Sequence, residues 1–403
     1  MICSRMSDSG RCKGQGVIDM TAGQKYDNVR ENAAADSRKE NYDIKRREDR
    51  IGKYFEKYLK RFVFAELSEE FVNKAKPGDM LRGIPVPLRE EEVKNFAEGS
   101  EVSLSVIAEN MTWVIGSDPH FRHAEAYIRI LSAFFGGSIY EGMLKTGRDA
   151  AEKGDMDNAC IHFRAALCMK PDYLDAMYSY ARACRAMYLA SENEEYIGRL
   201  KAEALEWFEM LTEVHPEFAQ GYYYLGYAYL NLGLYAKAGI SWKKFMKLSR
   251  ISKDKKEIRK RLEQIEEPIR IEEGCNDILA GRYERGIERL EPFLESRFSE
   301  WWPLHYYLGV AYEEVGRIED AKIRLKQALR LNGSHLETMQ ELLAIYRAEN
   351  DTDNAEKYSR KIAMVQSLLE EDQKVNAEAI RREDERLQKS ESKMLEPEVI
   401  SVD

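Results

Sequence analysis

A few sets of residues stand at spacings that could support chemistry. His120 and His123 are three apart, a separation at which two imidazoles on one helical turn can share a metal ion. No third ligand lies nearby in sequence, and capping or surface histidines are far commoner, so no metal site is expected. Acidic pairs such as Glu272/Glu273 and Glu313/Glu314 are plentiful. On charged helices they read as ordinary solvated carboxylates, and nothing singles out a pair whose surroundings would separate their pKa values for acid–base work. The six cysteines, Cys3, Cys12, Cys160, Cys168, Cys184 and Cys275, show no CxxC or finger-type spacing. Cys160 and Cys168 fall about 12 Å apart along one predicted helix, too far for a disulfide. The last four cysteines occupy small apolar positions of helical patterns and are expected to be buried free thiols.

Nucleotide and hydrolase motifs are missing. There is no G-x-x-x-x-G-K-[ST] loop, no G-x-G-x-x-G after a strand, no HExxH and no G-x-S-x-G. Hardly any stretch alternates like a strand. An enzyme is not expected, and no cofactor is implied. The net charge of −9 argues against a general nucleic-acid binder. No run of eighteen apolar residues could span a membrane, and the first residues lack the apolar core of a secretory signal. A cytoplasmic protein is the simplest expectation.

The elements that must position any functional residue are helices, and one stretch organises them. Ala219 to Leu248 reads as two short antiparallel helices. Tyr222, Leu225, Gly226 and Tyr229 follow aromatic-x2-Leu-Gly-x2-Tyr, Gly233 supplies a turn, and Ala238 with Trp242 follow as Ala-x3-aromatic. Small Gly226 and Ala238 let two backbones approach, while Tyr222, Leu225, Tyr229, Trp242 and Phe245 recur at helical spacing and fill the seam. This pattern resembles the tetratricopeptide signature position by position. One such hairpin cannot bury its own apolar face, so copies are needed on either side.

The copies are present. Tyr140 to Asp172 carries Gly147, Gly154, Ala159, Phe163, Ala166 and Pro171. Leu174 to Phe218 carries Tyr180, Ala181, Ala204, Phe208 and Pro216, with a surplus near 191–201 that either lengthens the first helix or makes an acidic loop. After a charged inserted helix near 252–266, holding Ile258, Leu262 and Ile265, come repeats anchored at Gly286, Ala321 and Ala355, spaced 35 and 34 residues apart. Val102–Ile115 and Pro119–Phe135 read as a degenerate first repeat, the second helix being capped by Ser117 or Asp118.

Four segments follow from this. Residues 1–44 lack an apolar period and are expected to be disordered. Residues 45–104 are expected to form a helical block. Its stripe Ile51, Tyr54, Phe55, Tyr58, Leu59, Phe62 and Val63 either packs on the array or offers a basic amphipathic helix to a membrane or acidic partner. A short helix is expected over Leu88–Ala97. Residues 105–369 form the array of about six to seven hairpins. Residues 370–403 form a charged capping helix, where the apolar positions thin to Val375, Ile380 and Leu387, and a disordered tail.

The resemblance to tetratricopeptide proteins implies an all-α fold, a right-handed superhelical solenoid of helix hairpins, here with an N-terminal helical block. It also implies a concave groove lined by first-helix residues, of the kind that holds extended peptides or partner helices. Carried over to this sequence, the groove should show Lys145, Arg148, Tyr178, Arg182, Arg185, Tyr223, Tyr224, Tyr227, Asn231, Tyr306 and Tyr307. Tyrosine gives stiff contact area and arginine forks onto carboxylates, so a protein or peptide partner is expected, with an acidic or C-terminal segment favoured. The carboxylate clamp of chaperone-binding members is incomplete, since Ser179 stands where an Asn is needed and Glu141 precedes Lys145. The function implied is an interaction scaffold or adaptor. The alternative is a bacterial peptide-sensing regulator with an N-terminal effector block, whose layout the 45–100 block resembles, although no helix-turn-helix is convincing.

Overall fold

The computed structural model describes residues 42–67, 69–74, 78–97 and 103–391. The expectation of disorder over residues 1–41 and in the C-terminal tail lies outside these residues. Over residues 42–44 it is corrected: Tyr42 and Ile44 are buried, and Asp43 caps a short turn of helix over Ile44–Arg46. The described chain is overwhelmingly helical, with one two-stranded sheet. It divides into two compact units at Gly233, the first also taking in Lys247–Ser249 and the second holding Leu234–Met246 and the chain from Arg250 onward.

The first unit contains helices α1 (Gly52–Leu59), α2 (Glu69–Lys74), α3 (Glu90–Ala97), α4 (Leu104–Ser117), α5 (Ala124–Phe135), α6 (Ile139–Glu152), α7 (Met156–Met169), α8 (Leu174–Ala190), α9 (Glu194–Val214) and α10 (Ala219–Asn231). Strands β1 (Phe62–Ala65) and β2 (Val86–Arg89) lie among the first three helices. Helices α6 and α7 pair as a hairpin, α8 and α9 as the next, and α10 packs on α9. A Cβ on Gly147 would lie 2.5 Å from Cε1 of Phe163, so only glycine lets α6 approach α7 this closely. The turn between them holds Gly154 at φ 81°, where a side chain would be strained. Asp155 then caps α7, its carboxylate accepting from the Asn158 N–H at 3.1 Å. The surplus near 191–201 goes mostly into the second helix, α9, of 21 residues, rather than the first, and leaves only the three-residue link Ser191, Glu192, Asn193 between them.

The N-terminal block departs from the expected all-helical form. Helix α1 ends at Leu59, and Phe62 and Val63 leave the helical stripe to pair antiparallel with Arg89 and Leu88. The aromatic and β-branched run Phe-Val-Phe favours a strand. Pro87, which blocks a helix, is tolerated because each strand of a two-stranded sheet is an edge. Leu88, expected to begin a helix, is therefore in β2, and α3 starts at Glu90. The rest of the stripe is core: Ile51, Phe55 and Tyr58 are buried, and α1 packs on α4. Its apolar side is thus not free for a membrane.

The degenerate first repeat is also revised. Helix α4 takes α7, not α5, as its main partner. A Cβ on Gly116 would come within 2.1 Å of the Ile161 carbonyl oxygen, which shows how closely the two backbones cross. Neither Ser117 nor Asp118 caps α5, which begins at Ala124 behind His123. Ser117 closes α4, and the Asp118 carboxylate accepts from the His120 N–H at 2.8 Å.

The second unit contains α11 (Tyr235–Leu248, apart from its last two residues), α12 (Ser252–Gln264), α13 (Glu266–Leu279), α14 (Tyr283–Leu290), α15 (Trp302–Glu314), α16 (Ile318–Leu331), α17 (Leu336–Ala348) and α18 (Thr352–Glu391). Hairpins α13/α14, α15/α16 and α17/α18 stack in turn around Ile271, Ile278, Leu290, Leu304, Leu308, Leu325, Leu342 and Tyr346. Their turns hold Gly281, Gly316 and Asn350 at positive φ, repeating the 35- and 34-residue spacing of the anchors. Asparagine at the last is the residue that best replaces glycine there. Ile258 in α12 and Ile265 just after it are buried, and most of the charges of α12 are exposed. The last repeat helix and the expected capping helix are one continuous 40-residue helix, α18. The side chains of Val375, Ile380 and Leu387 lie outside the described residues.

Candidate protein-interaction site

On α8, Tyr178, Arg182 and Arg185 are spaced i, i+4, i+7 and so share a face. On α10, Tyr223 and Tyr227 are spaced i, i+4 and share a face, with Tyr224 adjacent to Tyr223. The two faces meet. The Tyr178 ring lies edge-on to Phe218 at 5.1 Å and tilted against Tyr224 at 5.9 Å. Tyr224 stacks on Phe208 of α9 at 5.5 Å, and Tyr223 contacts both Tyr224 and Tyr227 at 5.1 and 5.2 Å. The Arg182 guanidinium sits 5.4 Å from the Tyr178 ring and 5.5 Å from Tyr224, and Arg185 sits 5.7 Å from Tyr224. Two cations are thus held on one small aromatic platform.

Burial, and then Tyr224, push the Tyr178 hydroxyl up to about 12, with Arg182 opposing. The phenol is therefore neutral, and its hydroxyl already interacts with Tyr224 and Arg182. The Nε of Arg185 is buried and makes no hydrogen bond. Because that Nε is enclosed, an incoming acceptor would meet the rest of the half-exposed guanidinium.

The remaining residues divide. Arg148 pairs with Asp175, at the start of α8, at 2.8 Å, and Lys145 is exposed one turn earlier on α6. Asn231, exposed at the end of α10, donates to the Tyr188 hydroxyl at 3.4 Å. Tyr306 and Tyr307 belong to the second unit and form a separate cluster. Tyr306 meets Tyr307 at 5.4 Å, His335 at 4.9 Å and Trp302 at 6.5 Å. That cluster is acidic: after burial, Glu341, Tyr307, Glu337 and Glu313 all raise the Tyr306 pKa. Burial, then Glu341 and Glu314, push Glu313 up to about 7, so it is not an ordinary solvated carboxylate. Glu272 is not one either, being half-buried and accepting from the Ala236 N–H at 2.8 Å.

Two members of the first platform, Phe208 and Phe218, are not marked by the sequence as site residues: Phe208 is a repeat anchor and Phe218 ends a repeat. The signal was Phe218 standing just before α10, where an aromatic closes over the preceding repeat. Cys160, Cys168, Cys184 and Cys275 are buried free thiols, as expected. Among the described residues no group of three His, Cys, Asp or Glu is arranged to hold a metal, and no helix is long and apolar enough to cross a membrane.

Residues 188–242 match the family profile described as tetratricopeptide repeat. No curated protein sequence matches the chain. Among solved structures, the chain is similar to the P58(IPK) TPR domain, at 21% identity over 63% of this chain and 71% of that one, with a TM-score of 0.33. It is similar to MamA 41-end from Desulfovibrio magneticus RS-1, at 18% identity over 47% and 96%, with a TM-score of 0.26. It is also similar to the TPR2AB domain of yeast Sti1 in its pHSP90 complex, at 16% identity over 62% and 98%, with a TM-score of 0.27. The family assignment rests on the repeat match and the signature residues.

Proposed function

We propose that this chain, whose residues 188–242 match the tetratricopeptide repeat profile, is a protein-interaction adaptor whose first unit binds an acidic segment of a partner across Tyr178, Arg182, Arg185, Tyr223, Tyr224 and Tyr227. One observation carries this most directly. Arg182 and Arg185 are both held over the Tyr224 ring, so two cations present their guanidiniums on one aromatic platform. A carboxylate reaching this platform gains a charge-assisted hydrogen bond, and apolar side chains beside it meet stiff tyrosines that lose little entropy. Lys145 and Arg148 extend the basic character along α6. Tyr306 and Tyr307 are left out of this surface because their surroundings are acidic. No catalytic step is assigned.

The anchored N-terminal segment supports an adaptor over a peptide-sensing regulator. An effector block needs freedom to act on a target. Here Tyr54 donates to Asp157 at 2.8 Å and Arg50 pairs with Glu206 at 2.6 Å, while Ile51 and Phe55 are buried.

The test uses the full chain and a short labelled peptide of alternating leucine and glutamate, with a free or amidated C-terminus. Tyr223→Ala with Tyr227→Ala should weaken binding by about 2–4 kcal/mol if these are hot spots, with the melting profile unchanged. Weaker binding of the amidated form would add recognition of a terminal carboxylate. Equal affinity of wild type and double variant would remove the site assignment.

A further inference from the structure

Helix α12 breaks the repeat spacing, standing between anchors Ala238 and Gly286, 48 positions apart. Its inner side is Ile258, buried, with Leu262 half-buried. On the opposite side Lys253, Lys256 and Lys260 follow i, i+3, i+7, so they project from one face along about 10 Å of axis, with Arg259 beside them. All four are exposed, and none has a hydrogen-bond, carboxylate or aromatic partner among the described residues. Several other cations of the same unit are engaged, although Arg330 and Arg347 are also exposed. Arg285 and Arg289 pair with Asp277, Arg317 with Glu291, and Lys322 with Glu319 and Glu349.

We propose that this lysine ridge is a second docking surface, for a short, strongly acidic polypeptide segment. A row of unpaired cations in a chain of net charge −9 is complementary to a run of carboxylates. The ridge offers no aromatic or large apolar side chain to insert into a bilayer, and no ring on which nucleobases could stack. An extended polyanion, whether membrane or nucleic acid, would also face the acidic remainder of the molecule. A short segment meets only the ridge, because screening limits its field to about 8 Å at physiological salt. Recognition here is by charge alone, so it differs from the tyrosine platform, where apolar side chains contribute, and does not depend on it.

The experiment measures binding of labelled oligoglutamate, phosphatidylserine-containing vesicles and a single-stranded oligonucleotide to the full-length protein. Wild type should bind oligoglutamate and lose affinity as salt rises. Lys253→Glu, Lys256→Glu and Lys260→Glu together should weaken this at least tenfold, and the corresponding Gln variant by a smaller factor. Melting should be unchanged for both, since the side chains are exposed. Tyr223→Ala with Tyr227→Ala should leave oligoglutamate binding within about twofold while reducing binding of the leucine–glutamate peptide. No oligoglutamate binding by wild type, wild-type affinity in the Glu variant, or loss only in the tyrosine variant would each overturn the ridge. So would tighter binding of vesicles or oligonucleotide that disappears in the Glu variant.

Discussion

Arg164 and Asp49, 115 positions apart in sequence, meet inside the first unit, where Arg164 Nη1 donates to Asp49 Oδ1 at 3.0 Å and Nη2 donates to Oδ2. The arginine is fully buried, and its Nε donates to the Gly116 carbonyl at 2.8 Å. One guanidinium therefore fastens the N-terminal segment and the end of α4 to the repeats. The Tyr180 hydroxyl, near Arg164, donates to Glu203 at 3.1 Å, and Trp207 donates to the same oxygen at 2.8 Å.

Removing one partner of such a pair strands a buried charge. Asp49→Ala should destabilise the first unit by about 3–5 kcal/mol. Denaturant unfolding followed by Trp207 fluorescence would show it, together with faster proteolysis around Arg46 and Arg47. A loss under about 1 kcal/mol would mean that water solvates Arg164 in the folded state. Replacing both residues with apolar ones of similar size should cost less than Asp49→Ala alone.

The crossing of α4 and α7 gives a second test. Gly116→Ala places a methyl carbon against the Ile161 backbone carbonyl, which cannot rotate away as a side chain can. The helices must separate, at a cost of about 2–3 kcal/mol. The melting temperature should fall accordingly. A variant as stable as wild type would show that the two helices can slide apart freely.

Within the repeats the sequence was transparent, because the constraints there are local and recur. Ala159, Ala204, Ala238 and Ala321 are buried, and Gly154, Gly233, Gly281 and Gly316 take the positive φ of the turns. The N-terminal block was opaque for the opposite reason. Phe62 and Val63 continue a helical period by residue type, and only their pairing with Arg89 and Leu88, more than twenty residues on, makes them a strand. Gly116 lies in a run that reads as an ordinary apolar helix, so its partner α7 could not be told from α5. At the candidate site, spacing placed Tyr178, Arg182 and Arg185 on one face. The charge around Tyr306 was not legible, since Glu313, Glu337 and Glu341 come from two helices brought together by the stacking.

That acidic cluster predicts a pH dependence. Glu313 is raised from 4.5 to about 7 by burial and by Glu341 and Glu314, so the native state holds a proton that the unfolded chain releases earlier. Its contribution to stability is complete below about 4.5 and is lost as pH rises through about 7. Glu313→Gln keeps the neutral form at every pH. The variant should melt like wild type near pH 4 and above it at pH 8, with the gap opening across that window. A gap that is constant with pH would mean Glu313 titrates normally.

The two arginines of the tyrosine platform should differ in what they contribute. Arg185 is partly buried, whereas Arg182 is exposed. A hydrogen bond from a desolvated charged donor is worth about 1.5–3 kcal/mol, while an exposed ion pair is worth about 0.2–1 kcal/mol. Arg185→Met retains the aliphatic stem beside Tyr224 and should cost the leucine–glutamate peptide at least tenfold in affinity. Arg182→Met should cost less than about fivefold. Titrations at two salt concentrations separate the contributions further, because the Arg182 effect should fade with salt while that of Arg185 persists. If Arg182→Met proves the more damaging, the carboxylate sits at the open edge of the platform and the tyrosines contribute area without directing it.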